Sequence, residues 1–334
     1  MQTRTGADAD DTDRRRDEDV AGRGEVRPRR SVLYLPASNP RAMEKAKGLA
    51  CDALVLDLED AVAPDAKEQA RAAAVAAVSS GAWRDEGRRE VTVRVNAAGT
   101  PWHDDDLAAV GAAGPDAVVV PKVTGAAAVR EVLAALDAAG APASTAMWAM
   151  LETPGAVLRA EEIAAASDRL TVLVVGTNDL AKELRVDAGP RRVPLLTSLG
   201  LAVLGARAAG KVVLDGVYND IRDAEGFDAE CAQGRELGFD GKTLVHPSQI
   251  DGANTVFAPD AASLEDARAV LRAWEAGGGR GVVTHEGRMI EALHVETARR
   301  LLRTDSAIRA RSSTGPVPDE PGRAGAEGSA RMNP

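Results

Sequence analysis

Short runs of apolar and β-branched residues alternate along this chain with longer alanine-rich stretches of helical periodicity. The runs cover residues 32–35, 53–58, 91–95, 117–120, 146–151, 170–175, 212–217 and 243–245. That alternation is the signature of repeated βα units building a parallel sheet. Eight units predict a closed (β/α)8 barrel, although an open doubly wound sheet would show the same alternation. Helix starts are marked at Asn39-Pro40, Ala63-Pro64, Thr153-Pro154 and Val193-Pro194, where proline takes a first-turn position whose N–H would be unpaired anyway. Beyond the eighth strand, two more helical patterns, 263–274 and 288–302, flank the glycine-rich joint Gly277-Gly278-Gly279-Arg280-Gly281. Such a joint suits a moving lid or an arm that reaches a neighbouring subunit.

The pattern stops at both ends. Residues 1–30 carry eight acidic and eight arginine side chains and almost no large apolar residue, so they cannot bury enough surface to offset the entropy of ordering. A transit peptide would be poor in acids, and Asp8, Asp10, Asp11, Asp13, Asp17 and Asp19 argue against one. The last stretch is rich in Ser, Gly, Pro and charge. The expected organisation is a disordered tail over 1–29, a catalytic barrel over 30–250, a helical C-terminal lid over 251–305 and a second disordered tail over 306–334.

Composition narrows the chemistry. A length of 334 residues suits one barrel with tails. Hydrophobic residues make up 45%, but alanine dominates them and aromatics reach only 3%, so the core must be built from Ala, Val and Leu. A net charge of −10 speaks against binding nucleic acid or an anionic membrane, and any anionic substrate must meet a local basic pocket. Cys51 and Cys231 have neither CxxC nor metal-ligand spacing, so they are expected to be reduced and buried. No window approaches ~18 consecutive apolar residues and no apolar signal core opens the chain, which makes the cytoplasm the expected compartment.

In parallel barrels reactive groups gather where strands end, because the βα loops converge there on one pocket. The expected strand ends read Asp57-Leu58-Glu59-Asp60, Arg94-Val95-Asn96, Pro121-Lys122, Glu152-Thr153-Pro154, Gly176-Thr177-Asn178-Asp179, Tyr218-Asn219-Asp220 and His246-Pro247. Converging carboxylates, with few histidines and no paired cysteines, point to a hard cation, Mg2+ first and Mn2+ second, rather than Zn2+. Glu152 and Asp179, on adjacent strands, would supply two ligands and leave the rest to water and substrate. Structural assignments compete at each position. Glu152 would favour a helix N-terminus, Asn178 or Asp179 would cap the next helix, and one of Asp57, Glu59 and Asp60 would cap or orient. Arg94 would serve equally as half of an ion pair, and His246-Pro247 reads as a turn.

The run Arg30-Ser31-Val32-Leu33-Tyr34-Leu35-Pro36-Ala37-Ser38-Asn39-Pro40 is followed by Leu54-Val55-Leu56-Asp57-Leu58-Glu59-Asp60-Ala61-Val62. With Arg94-Val95-Asn96, Val120-Pro121-Lys122, Glu152-Thr153-Pro154, Asp179 and Gly241-Lys242-Thr243-Leu244-Val245-His246-Pro247-Ser248-Gln249-Ile250, the ordered set resembles the citrate lyase beta-subunit and malyl-CoA lyase family of the HpcH/HpaI aldolase superfamily. The resemblance spans about residues 30–303.

The resemblance implies a TIM barrel with a C-terminal helical lid. It implies a homo-oligomer, trimer or hexamer, that shares the lid between subunits. It also implies a Mg2+-dependent, reversible Claisen-type cleavage of an acyl-CoA thioester such as malyl-CoA or citramalyl-CoA to a 2-keto acid and an acyl-CoA, with thioesterase activity as an accompaniment. Glu152 and Asp179 match the metal ligands, with Glu152 also beside the substrate; Arg94 matches the arginine that grips substrate oxygen, and Glu59 and Asp60 match rim residues that order the pocket. The family's lid aspartate is replaced by Glu291 in Gly287-Arg288-Met289-Ile290-Glu291, which keeps a carboxylate but adds a methylene. A misplacement near 1 Å can cost ~100-fold in rate. Two other functions stay open: a citrate lyase beta subunit acting on a citryl-carrier thioester within a complex, and a metal-dependent 2-keto acid aldolase. The aldolases carry a histidine beside the strand-two acid, and none stands near Glu59. For the CoA phosphates, Lys45, Lys47, Lys67 and Arg71 are candidates by charge alone.

Overall fold

Each of the eight apolar runs forms a strand in the computed structural model, which describes residues 26–84 and 89–312. The strands are β1 (Ser31–Pro36), β2 (Ala53–Asp57), β3 (Glu90–Arg94), β4 (Ala117–Val120), β5 (Ala146–Leu151), β6 (Leu170–Val175), β7 (Val212–Asp215) and β8 (Gly241–Leu244). They pair in sequence order, all parallel, and β8 returns to β1 through Ser31↔Lys242, Val32↔Thr243 and Leu33↔Leu244. That last pairing makes the sheet a closed (β/α)8 TIM barrel and removes the open-sheet alternative. The expected N- and C-terminal tails fall mostly on residues 1–25 and 313–334, outside the described residues.

Strand side chains alternate between two faces, and both are buried, which is why the runs read as continuous rather than alternating. Val32, Val55, Val119, Trp148, Val172 and Leu214 fill the barrel interior, with the small Ala53 and Ala117 beside the bulky indole. Leu33, Leu54, Leu56, Val118, Leu173 and Val213 face outward beneath the helices. Burying each Val or Leu contributes roughly 1.5–3 kcal/mol.

The outer layer consists of α1 (Pro40–Ala46), α2 (Lys67–Ser80), α3 (His103–Ala113), α4 (Ala126–Ala138), α5 (Pro154–Leu158), α6 (Ala160–Ala164), α7 (Thr177–Leu184), α8 (Leu196–Ala208), α9 (Ala224–Leu237) and α10 (Ile250–Val256). Asn39 and Thr153 cap α1 and α5 by accepting from the N–H groups of Ala42 and Ala156, each with proline next in line. Pro64 and Pro194 instead lie in short 3-10 turns that lead into α2 and α8.

Strand β7 stops at Asp215, two residues before the end of its apolar run, because the Asp215 carboxylate is drawn into a buried charge network. Lys242 Nζ lies 3.0 Å from Asp215 Oδ2 and 2.7 Å from Glu230 Oε1, while Arg192 Nη1 donates to Asp215 Oδ1 at 2.7 Å. The Gly216 N–H donates to the same Oδ1 and ends the ladder. Every charge in the network has a partner, as burial requires.

The C-terminal extension differs from expectation. Helix α11 (Ala261–Ala276) is followed by a hairpin, β9 (Val283–His285) and β10 (Arg288–Ile290), and only then by α12 (Ala292–Ser312). Residues 288–290, read as the start of a helix, are a strand. The cause is the two-residue turn Glu286-Gly287, where φ is 48° and 76°, the left-handed pair that a tight hairpin needs. Helix α12 also continues past residue 305 to Ser312, where Arg311 Nη2 donates to the Asp52 carbonyl at 3.1 Å. Since Asp52 immediately precedes β2, the extension docks at the N-terminal end of its own barrel. Among the described residues, both cysteines are free and buried, and no helix is long and apolar enough to cross a membrane.

Candidate active site

Asp57 ends β2, Arg94 ends β3, and the two are partners in the strand register, so both carboxylate and guanidinium emerge together at the C-terminal mouth. Arg94 donates from Nε to Asp57 Oδ1 at 2.7 Å and from Nη2 to Asp57 Oδ2 at 2.6 Å. Its third nitrogen, Nη1, faces Glu59 Oε2 at 2.9 Å and Asp60 Oδ2 at 3.7 Å. The guanidinium carbon lies 4.7 Å from the centre of the Tyr34 ring. Burial alone would weaken the Arg94 charge, but the bidentate bond to Asp57 more than offsets it and keeps the group cationic. The ion-pair assignment and the site assignment of Arg94 are therefore compatible: two nitrogens anchor it and one is left toward the cavity rim.

Asp57 also accepts from the N–H groups of Glu59 at 2.9 Å and Ala61 at 3.1 Å, so of the three strand-two acids it is the one that orients the loop. Glu59 is 6% exposed, and its Oε2 is in ion-pair contact with Arg94 without a hydrogen bond of good alignment. Burial pushes the Glu59 carboxyl up to about 7, with Arg94 opposing and Asp60 reinforcing. Asp60 stands out at the rim with 65% of its side chain exposed.

Glu152 follows β5 and is 2% exposed. Thr153, not Glu152, caps the helix that follows, which leaves the glutamate free to face the mouth. Its Oε1 accepts from the Lys122 N–H at 2.6 Å. Its Oε2 lies over Gly176, where a Cβ would come within 2.5 Å of that oxygen, so the cradle tolerates only glycine without displacement. Burial pushes Glu152 up to about 7; the Lys122 N–H opposes this and the Asp179 charge adds to it. Asp179 sits in the first turn of α7, which Gly176 rather than Asn178 or Asp179 caps. Asn178 instead exchanges amide hydrogen bonds with Asn219 of the next loop, at 2.8 and 3.3 Å. Arg94, Asp60, Glu152 and Asp179 all line one cavity of about 310 Å³.

Among the described residues no cluster of three or more His, Cys, Asp or Glu forms a complete protein cage for a metal. Two carboxylates over an open cavity are, however, what a small hard cation that keeps several waters requires, and Glu152 and Asp179 both line that cavity and repel one another. The residues present fit such an ion.

Some candidates lie elsewhere. Glu291 belongs to the extension, where its N–H donates to His294 Nδ1 at 3.1 Å; within a single chain it does not reach the mouth. Lys67 is not a surface cation for phosphates. Its buried Nζ donates to the carbonyls of Leu58 and Glu59 and to Asn96 Oδ1, each at 2.7 Å, and so pins the loop that carries Glu59. Arg71 is likewise engaged by Asp106 at 2.7 Å and Asp105 at 3.5 Å. Lys45 and Lys47 are exposed, the latter paired with Glu44. His246 forms the expected turn by accepting from the Ser248 N–H. Tyr34, which lines the cavity beneath Arg94, was missed, though it shares inward parity with Val32 and that signal was available.

The raised glutamates make stability depend on pH. A carboxyl whose folded pKa exceeds its unfolded value contributes most below the unfolded value, here 4.5, and that contribution is lost as pH rises through about 7. Without divalent cation, stability and with it the melting temperature are expected to fall between pH 5 and 8, by on the order of 2–3 kcal/mol for each of the two carboxyls. Glu152→Gln should flatten that fall. Parallel melting curves for wild type and variant that keep the same pH slope would count against the shift.

A closed barrel that gathers carboxylates and one anchored arginine at its C-terminal mouth has the architecture of a barrel enzyme. The chain belongs to the HpcH/HpaI aldolase/citrate lyase family, whose model matches residues 30–247. It is similar to a (3S)-malyl-CoA thioesterase of Cereibacter sphaeroides (strain KD131 / KCTC 12085), 46% identical over 288 residues that cover 86% of this chain and 98% of the relative. It is also similar to citrate lyase subunit beta of Escherichia coli (strain K12), 37% identical over 83% of this chain and 93% of that one. Among solved structures, the protein CitE from Mycobacterium tuberculosis in complex with magnesium, acetoacetate and coenzyme A is 32% identical, with a TM-score of 0.67 over 84% of this chain and 98% of that chain.

Proposed function

We propose that this chain is a Mg2+-dependent lyase that cleaves a hydroxyacyl-CoA thioester, such as malyl-CoA or citramalyl-CoA, to a 2-keto acid and an acyl-CoA, with thioester hydrolysis as a second outcome. The observation that carries the reading is the convergence of Glu152, Asp179 and Arg94 on one cavity at the strand ends. The names of the relatives support the substrate class: a malyl-CoA thioesterase, a citrate lyase subunit and a complex with magnesium and coenzyme A.

Glu152 and Asp179 would hold the cation, Mg2+ or Mn2+. When bound, the ion supplies Lewis-acid stabilisation of negative charge on the substrate's oxygens. Arg94, fixed by Asp57 through Nε and Nη2, lines the same cavity, where its charge would stabilise those oxygens. In the cleavage the hydroxyl loses its proton, its oxygen becomes the keto carbonyl, and the electron pair of the breaking C–C bond passes to the thioester as an enolate. Glu59, whose proton affinity is centred near neutral pH, is suited to take the hydroxyl proton, and Asp60 orders the rim beside it. Protonation of the enolate carbon falls to Glu291 of a neighbouring copy in a trimer or hexamer, with residues 30–250 as the catalytic unit and 251–305 as the shared lid. The cytoplasm is the compartment this reading assigns.

A panel of malyl-CoA, citramalyl-CoA and a citryl thioester, assayed with Mg2+ while keto acid and free thiol are followed separately, tests the reading. Keto-acid release from a CoA ester is expected. Turnover confined to free hydroxy-keto acids, or no response to any thioester, overturns it.

A further inference from the structure

Lys122 follows β4 with φ of 52°, in the left-handed region that residues bearing a Cβ seldom occupy. The other described non-glycine residues with positive φ are Arg185 at the end of α7, Arg192 before a 3-10 turn and Glu286 in the hairpin, all places where the chain reverses or caps. Lys122 alone of the four stands at a strand end on the mouth. Strain of this kind persists where the surroundings hold it, and an observed outlier at a site is a reason to look for what it serves.

Two contacts depend on it. The left-handed turn aims the Lys122 N–H at Glu152 Oε1, 2.6 Å away. It also brings Nζ to 3.6 Å from Glu59 Oε1, while Arg94 Nη1 faces the other oxygen of the same carboxylate at 2.9 Å. The charges of Asp179, Glu152 and Asp60 also act on the ammonium, which with Arg94 supplies positive charge among the acids of the mouth. Glycine would adopt this backbone freely and would keep the N–H; what it would lose is the ammonium.

We infer that Lys122 is a positioning residue, its peptide N–H setting the Glu152 carboxylate and its ammonium pinning Glu59 against Arg94 from the opposite side. What Glu152 and Glu59 then do rests on the proposed lyase reading, but the two contacts do not.

The test compares Lys122→Gly and Lys122→Arg with wild type in three measurements. Lys122→Gly should melt at the wild-type temperature or above it, because the backbone strain is relieved. Its crystal structure should show the Glu59 carboxylate displaced from Arg94 while Glu152 stays on the peptide N–H, and Mg2+ affinity by calorimetry should stay within about threefold. With a CoA-ester substrate its kcat should fall about tenfold or more with KM changed less than about threefold, and Lys122→Arg should recover part of the loss. Glu59 unmoved in the Lys122→Gly crystal, or kcat within about twofold of wild type, overturns the inference. If the wild-type protein cleaves no CoA ester, the lyase reading fails instead, and the crystal structure still decides the role of Lys122.

Discussion

Glu152→Gln and Asp179→Asn are each expected to abolish measurable Mg2+ binding and to lower kcat/KM for the CoA-ester substrate by about 10³-fold or more, equivalent to about 4 kcal/mol of lost transition-state stabilisation. The amides keep size and hydrogen-bonding shape but remove the anionic oxygens that a hard cation needs. For Glu152→Gln unfolding cannot explain the loss, because in metal-free buffer at pH 8 that variant should be more stable than wild type. Its carboxylate is buried and repelled by Asp179, which pushes it up to about 7, so keeping it ionised weakens the fold. Calorimetry with Mg2+, steady-state kinetics and thermal melting on the same preparations decide the matter. Near-wild-type, metal-dependent turnover by either variant would falsify the ligand assignment.

Arg94→Met should be damaging in a different way, costing both fold and rate. It removes the partner of the buried Asp57 carboxylate and the nearer of the two cations that face Glu59. Breaking a buried pair from one side typically costs about 3–5 kcal/mol, since the remaining charge is left uncompensated. The catalytic loss should be about 10²-fold or more even in the fraction that folds. Arg94→Lys retains the charge but not the planar fork that matches Asp57, and should recover stability only in part. Urea unfolding together with kinetics measures both. A destabilisation under about 1 kcal/mol for Arg94→Met would mean that Asp57 finds another partner and that the anchoring described here is not what holds the mouth together.

Most strands were readable because they are buried on both faces, so their runs are largely apolar and end where polar groups appear; β8, which carries the buried Lys242 and Thr243, shows the weakest run. The helix starts at Asn39-Pro40 and Thr153-Pro154 were readable for a similar reason: a cap and a proline act within a single turn. The hairpin at 283–290 was not, because the alternation in three-residue strands is too brief to compete with the helical period around it. Its turn signal, Glu286-Gly287, was nevertheless present. Lys67 shows the other kind of failure. Charge suggested a surface cation, but its ammonium turns inward to three oxygens from two different loops.

The amino-acid sequence by itself determined the βα repeat, the polar strand ends and the candidates Arg94, Glu152 and Asp179, since burial period and strand ends are local properties of the chain. The tertiary structure decided which groups face one another. Register places Asp57 beside Arg94, closure brings β8 to β1, and the approach of β4, β5 and β6 sets Glu152 between the Lys122 N–H and Gly176. Electrostatic energy and hydrogen bonding depend on separations of a few ångströms, and for residues tens of positions apart only the folded chain defines them.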